Sequence, residues 1–268
     1  MRLRYNKLIT IGVTDLSFHR VTASLLTNVL RSMGFEVNRV YSPHQDNFDK
    51  LRYGELDMLT SAWLPFSDGK YKAELEKDVS ILELGLFYEP YSIWAVPDYV
   101  PEEEVSEIAD LHKKNVAEKM RPAIQGVCPG AGISRSSVKI MNLYGLSKTG
   151  YRFFTGTEEC CYTAMERAFA NKEWVVVPLW KPNFLQHLYN IRELKDPKGL
   201  LGPVDRAVLL LREDRKHLFS EDQLRLLDSL RFSNEIISDL DYQVSIKNEE
   251  LDTVTKRWLL AHNKLVLV

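Results

Sequence analysis

The chain has 268 residues, 45% of them hydrophobic and 27% charged, with 35 Lys and Arg against 37 Asp and Glu for a formal net charge of −2. That length buries a core in two lobes of roughly 100 to 150 residues each, while the balanced charge, without a basic cluster or stripe, argues against a nucleic-acid partner. No stretch approaches the ~18 uninterrupted apolar residues of a membrane-spanning helix.

The start, Met1-Arg2-Leu3-Arg4-Tyr5-Asn6-Lys7, is positively charged, but a short apolar strand without a small-residue cleavage site follows, so it does not read as a signal peptide. Three cysteines, Cys128, Cys160 and Cys161, are an odd number, and the adjacent two are poorly placed to bridge each other, which favours reduced thiols. The expectation is a cytoplasmic protein as the chain stands, and a periplasmic or cell-surface one if an export signal was removed.

In chain order, 8–13 reads as a strand, followed by a helix over 20–33 whose Val21, Leu25, Val29, Leu30 and Met33 share a face and which Gly34 stops. Strand 35–40, a short helix over 48–53 and strand 54–59 complete a parallel β-α-β pattern. Residues 92–97 form another strand, and the acidic stretch 101–107 opens a more polar region where the chain crosses to a second lobe. That lobe takes strand 123–127, the turn Pro129-Gly130-Ala131-Gly132, helices over 133–144 and 157–171, and strand 174–178. The chain returns to the first lobe near 207–211, and the remainder is helical, with Ser220 and Gln223 spaced as a capping box. The lobes are therefore 1–97 plus 206–268, and 98–205. Two crossings make a hinge, and a cleft between hinged α/β lobes suits a small ligand.

Two tryptophans are placed alike. Trp63, in Trp63-Leu64-Pro65, and Trp180, in Trp180-Lys181-Pro182, each follow the carboxyl end of an apolar strand, one per lobe, and open α/β sheets gather ligands at that end. Both read equally as lobe packing, the usual role of a buried indole. As walls of a site they would attract a cation that offers no hydrogen bond, such as a quaternary ammonium, at ~0.5 to 2 kcal/mol per ring, with Pro65 and Pro182 fixing the walls. The turn at Gly130 and Gly132 is read as well by simple strand-to-helix geometry.

Ile9-Thr10-Ile11-Gly12, Gly54-Glu55-Leu56-Asp57 leading to Ala62-Trp63-Leu64-Pro65, Val96-Pro97-Asp98-Tyr99-Val100, Pro129-Gly130-Ala131-Gly132-Ile133, and Trp180-Lys181-Pro182 followed by Leu194-Lys195-Asp196-Pro197-Lys198-Gly199 stand in an informative order and spacing. Over nearly the whole chain this resembles the glycine betaine and choline-binding proteins that serve as substrate-binding components of ABC transporters. The resemblance implies an α/β, two-lobe, periplasmic-binding-protein-like fold of type II with a hinge and an interdomain ligand cleft. It further implies a quaternary or methylated ammonium ligand taken up as an osmoprotectant, an ABC permease as partner, and neither catalysis, cofactor nor metal. Trp63 and Trp180 match two aromatic walls of the family's cage. Gly132 and Ile133 match positions whose backbone N–H groups hold a ligand carboxylate in betaine binders, and a helix start suits an anion.

The departures matter as much. Leu16, within Thr14-Asp15-Leu16-Ser17-Phe18, stands where the family usually has a third tryptophan, so Asp15 and Leu16 join the expected site and the missing wall falls to Phe18, Tyr91 or Trp94. Asp68 stands where betaine binders carry a carboxylate-binding histidine, and Asn183 and Phe184 replace a histidine and a tryptophan. An aspartate repels a carboxylate and favours a cation or hydroxyl, so a cation without a carboxylate, choline being the simplest, is expected over glycine betaine. The plain alternative for Asp15, His19 and Asp68 is solvated loop. Two other functions compete: an enzyme on the same fold, with Cys128 as nucleophile and His19 as base, and a cytoplasmic small-molecule sensor without a transporter.

Overall fold

A computed structural model describes residues 7–265; the charged stretch 1–6, part of the segment read above as no signal peptide, lies outside the described residues. The elements in chain order are β1 (Lys7–Thr14), α1 (Ser17–Ser32), β2 (Phe35–Ser42), α2 (His44–Arg52), β3 (Met58–Leu64), α3 (Gly69–Leu75), β4 (Ile81–Tyr88) and β5 (Tyr91–Pro97). They continue with α4 (Lys114–Lys119), β6 (Ala123–Gln125), α5 (Gly132–Leu143), β7 (Arg152–Phe154), α6 (Glu158–Asn171), β8 (Val177–Lys181) and β9 (Ile191–Glu193). The last are β10 (Arg206–Arg212), α7 (Glu221–Ser229), α8 (Asn234–Ser245) and α9 (Leu251–Ala261). Among the described residues no helix is long and apolar enough to cross a membrane.

The chain forms two compact α/β units, one from residues up to Pro90 and from Asp205 onward, the other Tyr91–Val204. The sequence suggested partings after 97 and 205; in the structure β5 hydrogen-bonds to β8 and β9, both within the second unit. The first unit carries a sheet of order β2-β1-β3-β10-β4. β1, β2 and β3 run parallel, the β-α-β pattern expected, and β10 returns antiparallel between β3 and β4. Flanked on both sides, β3 is buried along its whole length, as a central strand covered on both faces must be.

Local sequence explains the ends. Gly34, at φ +89, takes the left-handed position that stops α1, and a Cβ at Gly12 would lie 2.5 Å from the Leu56 Cδ1 methyl, so a larger residue there would push the Leu56 side chain aside. Helix α1 is buried along most of its length because α8 and α9 also cover it. Its polar seam with α9 is closed by Ser24 and Asn28 meeting Thr255 at 2.7 and 3.0 Å. The expected capping box opens α7: Ser220 Oγ accepts the Gln223 N–H at 3.2 Å and Gln223 Oε1 accepts the Ser220 N–H at 2.9 Å. The second unit pairs β5 antiparallel with β8 and β9, and β6 parallel with β7.

Two strands differ from their expected positions. Strand 54–59 is in fact β3, Met58–Leu64, because Gly54 sits at φ +78 in a turn. Strand 174–178 is β8, Val177–Lys181, an edge strand that tolerates Pro178 without its N–H. Both shifts have one consequence: Trp63 and Trp180 are each the penultimate residue of a strand rather than a residue beyond its end.

Candidate functional site

In the first unit β3 bends before it delivers Trp63. Ser61 has φ +59, a left-handed conformation that costs a serine ~1–3 kcal/mol and gathers at functional sites, and the β10 register slips beside it. The bend brings Ser61 Oγ to 2.5 Å from the hydroxyl of Tyr88, the last residue of β4, and that hydroxyl also accepts the Trp63 indole N–H at 3.4 Å. Trp63 is 7% exposed. Its ring lies 5.4 Å from Phe18, 5.8 Å from His19 and 6.5 Å from Tyr88, centroid to centroid. Burial pushes the Tyr88 phenol up to about 12, so it stays a neutral donor and acceptor.

The turn beyond Trp63 is tied from two directions. The Leu64–Pro65 bond is cis. Asp68 Oδ2 accepts the Trp63 backbone N–H at 2.9 Å, and its Oδ1 lies 3.3 Å from His44 Nδ1. Asp205, the first residue of the returning segment, accepts the N–H groups of Phe66 and Ser67 at 2.6 and 3.0 Å. Both carboxylates are buried, at 2% exposure, so Asp68 is not the solvated loop residue of the plain alternative. His19 is buried too. Desolvation first, and the His44 charge second, hold its imidazole well below the ordinary histidine range, which makes it a neutral ring packed on Trp63.

The second unit repeats part of this arrangement. Trp180 is buried on β8, beside Ser92 of β5, and the Lys181–Pro182 bond after it is cis as well. Asn183 donates its side-chain amide to the Trp180 carbonyl and accepts the Leu185 N–H at 3.0 Å. Tyr162 of α6 lies 6.1 Å from the Trp180 ring and 4.7 Å from Phe184. Gly132 and Ile133 are the first residues of α5, where N–H groups point out of the helix start. Ser134 in the same turn ties the helix to the strand side by donating to the Val127 carbonyl at 2.8 Å.

The other expected site residues each have local surroundings of their own. Asp15 is paired with Arg20 at 2.5 Å at a half-exposed position, and Leu16 is the buried residue that precedes α1. Among the candidates for the missing wall, Phe18 packs on Trp63. Tyr91 donates to Glu193 at 3.3 Å beneath the Lys181 ammonium, and the Trp94 indole, wholly buried, donates to Ser137 at 2.9 Å. Of the thiols, burial pushes Cys128 and Cys161 up, opposite to what a nucleophile needs. Among the described residues no group of three His, Cys, Asp or Glu could hold a metal. Tyr88, His44 and Asp205 escaped sequence reading; the alternation that would have marked β4 and its terminal Tyr88 is broken by Gly85 at φ +73.

The family described as the substrate-binding domain of ABC-type glycine betaine transport systems matches residues 7–261. The glycine betaine/carnitine transport binding protein GbuC of Listeria monocytogenes is 23% identical over 150 residues, 55% of this chain and 48% of that protein; the match thus spans about half the length of that curated relative. Among solved structures, lactococcal OpuAC, closed on glycine betaine, superposes with a TM-score of 0.84 at 22% identity, over 97% of this chain and 98% of that one. The glycine betaine/L-proline-binding protein ProX of Borrelia burgdorferi gives 0.85 at 24%, over 97% and 95%. A choline-binding protein of an ABC transporter, in complex with choline, gives 0.83 at 15%, over 96% and 89%. These likenesses give the fold: two lobes of the periplasmic-binding-protein kind, as expected.

Proposed function

We propose that this chain, which belongs to the family of substrate-binding domains of ABC-type glycine betaine transport systems, binds a quaternary or otherwise methylated ammonium compound and releases it unchanged. In this reading it serves an ABC permease at the outer face of a membrane in osmoprotectant uptake, with Trp63 and Trp180 as aromatic walls. The observation that carries it is their matched construction: each indole is penultimate in its strand, each is followed by an X–Pro pair, and each has its backbone bonded to a buried polar side chain, Asp68 or Asn183. Such fixed indole faces suit a cation that cannot donate hydrogen bonds. The amides at the start of α5, Gly132 and Ile133, serve an oxygen of the ligand.

A thermal-shift screen against choline, betaines, carnitine and simpler methylamines tests the reading. A ligand at about 100 times its dissociation constant adds ~2.7 kcal/mol to stability; no shift with any member of the set would overturn it. Within the class we propose choline over glycine betaine. The buried Asp68 carboxylate lies directly behind the Trp63 backbone, and its field favours a cation while opposing a second carboxylate.

A further inference from the structure

The residues that prepare Trp63 do not all lie near it in sequence. Asp205 opens the segment that re-enters the first unit, directly after the second crossing. Its own N–H donates to the carbonyl of Pro90, the last residue before the first crossing, at 2.8 Å. Its two carboxylate oxygens divide the amides that follow Pro65, Oδ1 taking Phe66 at 2.6 Å and Oδ2 taking Ser67 at 3.0 Å. Next in the chain, Arg206 and Ala207 pair with Leu64 and Trp63 in the sheet. A single buried residue, through its backbone N–H at Pro90 and its carboxylate at Phe66 and Ser67, therefore joins both points at which the chain leaves and re-enters this unit to the turn that carries Trp63.

The chemistry fits that task. Two adjacent N–H donors aimed at one carboxylate make charge-assisted bonds with fixed direction, and only a group with two acceptor oxygens meets both. Asparagine keeps the shape but presents an NH2 where one of the two N–H groups needs an acceptor. A backbone turn held in this manner moves as a body with the segment that holds it, so a change at the crossings reaches Trp63 through Asp205.

We infer that Asp205 is a positioning residue for ligand binding, setting the Trp63 turn from the crossing segments of the first unit. The inference builds on the reading of Trp63 as a ligand wall, and the test separates the two. The variants are Asp205→Asn and, as a stability control in the same unit, Asp252→Asn, which weakens the cluster of Ser24, Arg31 and Arg39 on Asp252. Choline affinity is measured by calorimetry well below each protein's own melting transition. Asp205→Asn is expected to weaken choline at least tenfold, and Asp252→Asn less than twofold.

The near-ultraviolet dichroism of the unliganded proteins, with and without Trp63→Phe, gives a ligand-free readout. The change caused by Asp205→Asn is expected to vanish in the Trp63→Phe background. If the wild-type protein binds no methylated ammonium compound, the functional reading falls, and the dichroism alone still decides the positioning role. Equal affinity losses in the two variants, or a dichroism change that persists without Trp63, would overturn the role of Asp205. Should Asp205→Asn not fold, Asp205→Glu, which keeps both oxygens at a longer reach, replaces it with the same expected outcomes.

Discussion

Asp68 and Trp63 are bonded to each other twice: the Asp68 carboxylate accepts the Trp63 N–H at 2.9 Å, and the Asp68 N–H donates to the Trp63 carbonyl at 2.8 Å. The pair closes the turn after β3 and places a buried negative charge beside the residue read as a ligand wall. Asp68→Asn keeps an acceptor for the Trp63 N–H and removes the charge. Repulsion between close unit charges is ~1 kcal/mol in water and ~4 at an effective dielectric near 20, so the preference for choline over glycine betaine is expected to narrow at least fivefold in the variant. Calorimetric titration of both compounds on both proteins measures it; an unchanged ratio would remove Asp68 from specificity.

Replacing the indoles needs care, because Trp63 also packs on Phe18, His19 and Tyr88, and truncating such a side chain to alanine costs ~3–5 kcal/mol of stability. Phenylalanine keeps most of the volume with a weaker π face. Trp63→Phe and Trp180→Phe are each expected to weaken choline by ~1 kcal/mol, about fivefold, with both proteins still folded by circular dichroism. Full affinity in the double variant would place the walls elsewhere.

The frame of the first unit was legible because its signals are local: the periodic face of α1, Gly34 behind it and the apolar run of β10 each announce one element. Strand limits were less so. The apolar run at 56–59 leads into β3, and the strand's extension to Leu64 is paired at Ala62, Trp63 and Leu64 with β10, which lies far along the chain. The two tryptophans were visible through their shared Trp-X-Pro pattern. Their supports were not, since Tyr88, His44 and Asp205 reach Trp63 and its turn by tertiary contacts that no spacing encodes. Asp68 was found as a departure from a pattern, and the structure adds that its carboxylate is bonded to Trp63's own backbone.

His19 makes the fold sensitive to mild acid. Its buried imidazole, with Nδ1 lacking a hydrogen-bond partner among the described residues, is held well below 6.5 by desolvation and by His44, whereas the unfolded chain takes up the proton near 6.5. Below that pH the unfolded state binds more protons, so this contribution to stability is whole above about 6.5 and falls as pH drops toward the depressed folded value, at up to ~1.4 kcal/mol per pH unit. The lowered carboxylates Asp110, Asp214, Glu250 and Asp252 lose their contributions at lower pH, around and below their ordinary range. Urea unfolding between about pH 7 and 5 is expected to show the decline, and His19→Gln to flatten it; an equal slope in the variant would assign the effect to another group.

The thiols separate binding from catalysis. Cys160 is exposed near the start of α6, where Thr157 Oγ1 lies 3.3 Å from its sulfur, and this hydrogen bond lowers its thiol. Cys128 is half-buried and desolvation raises its thiol, while Cys161 is buried and raised further. Because the thiolate is the reactive form, iodoacetamide near pH 7 is expected to label Cys160 first, Cys128 more slowly and Cys161 last, with Cys160→Ser abolishing the fast phase. A solute-binding protein should then keep its choline affinity after the first equivalent of label. A fast phase that survives in Cys160→Ser and disappears in Cys128→Ser would restore the nucleophile reading of Cys128, and with it an enzyme on this fold.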